Sequence, residues 1–189
     1  MHVSANSVLF QVDHLMQYYL VHVKKYKLRN IGCASKMVFP CGFFDGAATA
    51  SQGGAGVYIS ISSSHSLSLK LGCGPSTNTR VELLALWSLL YVAHKMGPPS
   101  MHIYGDSSVI INWANFKASL SSLELIHWCD NSRSLSSGFS WLEFFHVYRE
   151  HIQSAENLSK DSLILNLGFF LFSEVFDDSI SMSGELKLF

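Results

Sequence analysis

Residues 56–71 read GVYISISSSHSLSLKL. Val57, Ile59 and Ile61 alternate with Tyr58 and Ser60; after the serines at 62–64, Leu67, Leu69 and Leu71 alternate again. A period of two puts one set of side chains on a single sheet face, so each run predicts a half-buried strand. Two such runs around a short polar turn predict an antiparallel hairpin. Working backwards, Ala50 to Gly54 is a turn rich in Ser, Gln and Gly, and Pro40 to Gly42 punctuates the chain. A strand is therefore expected up to about Ala48, which makes a three-stranded meander.

Working forwards, Gly72 to Thr77 is a loop, and the strongest helix is expected from about Thr79 to Met96. There Val81, Leu84, Ala85, Ser88, Leu89 and Val92 recur at helical spacing, and Gly97-Pro98-Pro99 stops the run. Met101 to Tyr104 is a short strand, after which Asp106 or Ser107 can cap a helix through Ile110 and Trp113. A weaker helix over Leu120–Arg133, a strand over Phe139–Tyr148 and a last helix over Ser154–Leu165 follow. This order predicts an α/β domain, a mixed sheet with helices on its faces. We divide the chain into an N-terminal arm or linker (1–38), the domain (39–166) and a C-terminal tail (167–189). The arm carries a basic cluster, Lys24, Lys25, Lys27 and Arg29, which reads as a solvated helix end or a phosphate contact. The tail is aromatic and acidic without a clear period, so loose attachment is expected.

A length of 189 residues, with 48% apolar and 14% charged residues, suits one globular domain with extensions. A formal net charge of -1 gives no basic excess. It argues against gripping a polyanion by protein charge alone, and leaves room for an enzyme that holds its substrate through bound cations. Cys33, Cys41, Cys73 and Cys129 have no C-x-x-C spacing, so no zinc site is expected. They read as free thiols in a reducing compartment. With no secretory pattern and no long apolar run, the expectation is an intracellular, non-membrane protein of nucleus or cytoplasm. Oligomeric state is left open. Trp87, Trp113, Trp128 and Trp141 stand in amphipathic segments and are expected in the core.

The chemistry rests on three acids at the edges of these elements: Asp45 in the first strand, Glu82 in the strong helix and Asp106 after the fourth strand. Each alone has an ordinary explanation, as a turn residue before Gly46, an early-helix carboxylate and an N-cap. Together they are costly near a core unless something binds them, and several gathered carboxylates suit a hard divalent cation.

Five ordered segments sharpen this reading: Phe-Phe-Asp-Gly-Ala-Ala at 43–48, Gly-Ala-Gly-Val-Tyr at 54–58, Thr-Asn-Thr-Arg-Val-Glu-Leu-Leu-Ala-Leu-Trp at 77–87, Gly-Asp-Ser-Ser-Val-Ile-Ile-Asn-Trp at 105–113, and His-Val-Tyr-Arg-Glu-His-Ile-Gln-Ser-Ala-Glu-Asn-Leu-Ser-Lys at 146–160. From about Gly42 to Lys160 the chain resembles a ribonuclease H type 1 domain. More narrowly, it resembles the reverse-transcriptase-associated version found in plant retroelement-derived proteins. The resemblance implies a five-stranded mixed sheet, three strands antiparallel and the last two parallel to the first, flanked by helices. It implies two-metal-ion hydrolysis of the RNA strand of an RNA–DNA hybrid, with two Mg²⁺ (Mn²⁺ substituting). By the same resemblance Asp45, Glu82, Asp106 and Glu156 are metal ligands and His146 shuttles a proton or aids product release. Asn78, with Thr77, Arg80 and Ser107 beside it, would contact the substrate's minor groove.

The chain also departs from that family. Glu156 stands where Asp is usual, Ile152 where Asn is usual, and Ser51-Gln52 where Asn-Pro is common. The segment between Asp106 and Phe139 carries no basic protrusion. Two rival readings follow: a retroelement-derived domain that binds nucleic acid with weak or no nuclease activity, and a purely structural interaction module.

Overall fold

The hairpin expected from residues 56–71 is present and longer at both ends. In the computed structural model, which describes residues 39–187, it comprises β2 (Gly53–Ser62) and β3 (His65–Gly74). Gly53 and Gly54, expected in a turn, already belong to β2. β1 (Cys41–Ala48) pairs antiparallel with β2, with Phe44 opposite Val57 and Asp45 opposite Gly56. Then come α1 (Asn78–Met96), β4 (Ser100–Gly105), α2 (Ser108–Ala114), α3 (Leu123–Ser136), β5 (Trp141–His146) and α4 (Gln153–Asp161). β4 pairs parallel with β1, and β5 parallel with β4. The expected α/β class and mixed sheet are both found.

Burial fixes the layers. Every residue of α1 from Val81 to Ala93 is buried, so this helix is the spine of the core. Thr77 caps its start by accepting from the Arg80 amide, and Gly97 ends it at φ 77. α1 lies on the face that carries Phe44, Ala55, Val57 and Ile59, with α3 beside it. α4 lies on the opposite face, against β1 and β2. There Gly56 allows backbone contact: a Cβ at this position would stand 2.2 Å from the Ser159 nitrogen. Trp87 and Trp113 are buried, and Trp128 meets Trp87 edge-on at 4.9 Å. Trp141 corrects its expectation: it stands on the edge strand β5, is 43% exposed, and packs on His102 rather than in the core.

The C-terminal segment also departs from its expectation. Instead of a loosely attached tail, β6 (Phe169–Phe176) and β7 (Ser179–Lys187) extend the sheet to seven strands, in the order β5-β4-β1-β2-β3-β6-β7. β6 pairs antiparallel with β3, and Phe170 joins the core. Asp177 and Asp178, both at positive φ, make the two-residue turn to β7. Glu174 is buried and bonds His65 at 2.7 Å and Ser181 at 2.8 Å. Among the described residues no helix is long and apolar enough to cross a membrane. The basic cluster at residues 24–29 and Cys33 lie outside the described residues.

Candidate metal centre

Three elements deliver the acids. Asp45 projects from the middle of β1, on the face that α4 covers. Glu82 lies in the first turns of α1, close to β1 because Gly46 lacks a side chain. A Cβ at Gly46 would sit 2.5 Å from the Glu82 nitrogen. Asp106 follows the carboxyl end of β4, the strand parallel to β1, at the crevice where open sheets gather ligands. The carboxylates meet: one ligand oxygen from each of Asp45, Glu82 and Asp106 lies within 4.8 Å of the others.

The electrostatics of this cluster are unfavourable without a cation. Asp45 is 2% and Glu82 8% exposed. Burial, then the charges of Asp45 and Asp106, pushes Glu82 up to about 9. Burial also raises Asp45, against the hydroxyl of Ser159, which donates to its Oδ2. Three oxygens are buried with no hydrogen-bond partner: Asp45 Oδ1, Glu82 Oε2 and Asp106 Oδ1. Orphaned buried carboxylate oxygens carry a desolvation cost that a divalent cation removes. The donor set fits magnesium or manganese, both of which take oxygen ligands.

The remaining sequence candidates fall around this centre. His146 ends β5 and is exposed, its Nε2 3.1 Å from the Asp106 carbonyl oxygen. Glu156 lies one step further out. Its Oε1 accepts from Lys160 Nζ at 2.7 Å and stands 3.8 Å from Arg149 Nε, so it is not one of the three gathered acids. Ile152 is buried at the N-cap of α4 and offers no side-chain cap. Thr77 and Asn78 are exposed at the start of α1, about one turn before Glu82; Arg80 is half-buried there. Ser107 caps α2. Two partners were not singled out from sequence. Ser159 holds Asp45, and Arg149 donates from Nε to Asp106 Oδ2 at 2.9 Å. Both lie in the last of the five segments, but only the fold brings them to acids more than 40 residues away.

A family model described as reverse transcriptase-like matches residues 43–162. This chain belongs to the reverse transcriptase-like family. The matched span holds all three gathered acids, and β6 and β7 lie beyond it. Solved structures of ribonuclease H enzymes share the fold of this chain. The reverse transcriptase-like chain shares 22% identity with ribonuclease H1 of the halophilic archaeon Halobacterium salinarum, at a TM-score of 0.61, covering 66% of this chain and 96% of that one. LC11-RNase H1, crystallised with an RNA/DNA hybrid, gives 20%, 0.60, 65% and 95%. The N-terminal ribonuclease H domain of a Mycobacterium tuberculosis protein gives 18%, 0.58, 65% and 98%. A search of curated proteins finds no match. The three gathered acids, which could hold a metal ion, thus stand in a fold shared with these ribonuclease H1 structures.

Proposed function

We propose that this domain is an RNA–DNA hybrid ribonuclease that hydrolyses the RNA strand with two divalent cations, Mg²⁺ or Mn²⁺. The observation that carries the reading is the trio of orphaned, buried carboxylate oxygens on Asp45, Glu82 and Asp106. Cations bound there would polarise the scissile phosphate and lower the pKa of an attacking water. The chain's own residues do the rest. Asp45, fixed by Ser159, and Glu82, fixed by the Gly46 backbone, would be ligands of those cations. Asp106 would be the third ligand, and Glu156 would join them only if drawn away from Lys160. His146, exposed beside the Asp106 carbonyl, is free to move a proton to or from the leaving group. Thr77, Asn78, Arg80 and Ser107 would contact the substrate's minor groove and its 2′-hydroxyls, and a hybrid partner suits LC11-RNase H1's complex. The buried free thiols of Cys41, Cys73 and Cys129 suit an intracellular site of action, nucleus or cytoplasm.

Cleavage of a labelled hybrid, with and without Mg²⁺, tests this. Wild-type protein should cut the RNA strand only with metal, and Asp45→Asn should lose at least about 100-fold in rate. Undiminished cutting by purified Asp45→Asn protein overturns the assignment.

One observation favours the second reading, nucleic-acid binding with weak or no cleavage. Glu156 is engaged by Lys160 and flanked by Arg149 instead of reaching the triad. Glu156→Asp shortens that arm and removes its reach to Lys160. A rate gain of about tenfold or more would identify an enzyme limited at this position. An unchanged rate would mean that Glu156 is not what limits it.

A further inference from the structure

Arg149 opens the short 3-10 turn Arg149–His151 that leads from β5 into α4, and its side chain is 62% exposed. It nevertheless reaches the acidic centre. Its Nε donates to Asp106 Oδ2 at 2.9 Å and stands 3.8 Å from Glu156 Oε1. The carboxylates it faces are far less exposed, at 11% and 16% of their side chains. The two oxygens of Asp106 are therefore in different situations. Oδ1 is buried and without a partner, whereas Oδ2 is taken by the guanidinium. On the far side Lys160 holds the same Glu156 oxygen at 2.7 Å.

We infer that Arg149 is a resident cation filling the second cation position, between Asp106 and Glu156. The triad then accepts one divalent ion readily, and a second only when the guanidinium is released. This rests on the metal-dependent reading above. Two cations competing for one pair of carboxylates repel strongly at a few ångströms, so the guanidinium and a second ion exclude one another there. The guanidinium's exposure makes its release feasible, because water rehydrates it as it leaves. Asp106 supplies the hydrogen bond that holds the arginine, and the Glu156 carboxylate adds a second negative charge beside it, between Arg149 and Lys160 and outside the three-acid cluster. Arg149 is thus a positioning residue, acting through Asp106 and Glu156.

Mn²⁺ titration of the purified domain, read by the electron paramagnetic resonance of free Mn²⁺ and by calorimetry, tests this without any cleavage assay. Wild-type protein should show one tight site and one weak site. Arg149→Gln should tighten the weak site about three- to tenfold, the scale of a partly exposed ion pair. Arg149→Lys, which keeps the charge, should stay near wild type. Lys160→Gln removes the same charge from a residue that touches Glu156 alone, and should shift the weak site less. An Arg149→Gln weak site that does not tighten, or an equal shift in Lys160→Gln, overturns the assignment of Arg149 while leaving the metal centre intact. If the tight site is absent, or persists in Asp45→Asn, the underlying metal reading fails instead.

Discussion

Glu82 concentrates the tension of the centre in one side chain. Its ordinary value is 4.5, and burial with two neighbouring acids pushes it up to about 9. Below about pH 4.5 both folded and unfolded chains carry the proton, and no penalty arises. Between the two values the folded protein keeps a proton that the unfolded chain has released, so stability falls as pH rises through that window. Asp45 is raised in the same direction, again chiefly by burial. The metal-free domain should therefore show a urea midpoint that declines from about pH 5 to about pH 9. Glu82→Gln should flatten that decline and add roughly 1–3 kcal/mol at pH 8, because a neutral amide has no charge to bury. Mg²⁺ should oppose the decline, since a cation favours the charged carboxylates. A metal-free midpoint that climbs with pH across this window would contradict the burial of Glu82 as a charged group in waiting.

At the scale of the element, α4 is what turns a strand acid into a site. It brings Ser159 to Asp45 and sets Glu156 beside Arg149, and it can do so only because β2 presents glycines. A Cβ on Gly56 would meet two backbone atoms, Ser159 N at 2.2 Å and Ala155 O at 2.3 Å, and neither can rotate away. Gly56→Ala should force α4 off the sheet, cost about 2–4 kcal/mol in chemical denaturation, and weaken Mn²⁺ binding as Ser159 leaves Asp45. Gly97→Ala is the control: its Cβ would meet nothing within 4 Å, so only the strain of φ 77 is felt and metal affinity should hold. Equal metal loss in both variants would argue that α4 does not organise the centre. Much of this was legible in the chain. The alternation of residues 57–71, the helical spacing from Val81 to Val92 and the stop at Gly97-Pro98-Pro99 located β2, β3 and α1, because each obeys a single local period. The three acids were legible from the ordered segments that carry them, although Asp45 stands in the middle of β1 and not at the strand edge expected for it. Arg149 and Ser159 were not, since nothing in a serine on a helix or an arginine in a loop announces an acid 43 or 114 residues away.

Over the whole molecule, the same contrast separates the domain seen in sequence from the sheet that forms. β6 hides itself because its inward row is interrupted: Phe170, Phe172 and Phe176 share a face with Glu174, whose charge spoils the alternation. The interruption makes sense only once the His65 ring, 109 residues earlier, is brought within 2.7 Å of the carboxylate. β7 lies outermost, and its alternation is diluted by serines on an exposed edge. The hairpin therefore reads as tail, yet it covers what would otherwise be an open edge of β3, the kind of edge that recruits other strands. Truncation after Asn166 should expose Leu67, Leu69 and Leu71, remove Phe170 from the core and deprive His65 of the Glu174 carboxylate. Losing the core phenylalanine and the cover over three leucines should cost at least about 3 kcal/mol, read as a lower melting temperature and as association in light scattering. The acidic triad draws on β1, β4 and α1, and β2 and β3 stand between β1 and the hairpin. The folded fraction of the truncated chain should accordingly still bind one Mn²⁺. A truncated chain that melts like the full one and stays monodisperse would show that the sheet ends, energetically, at β3.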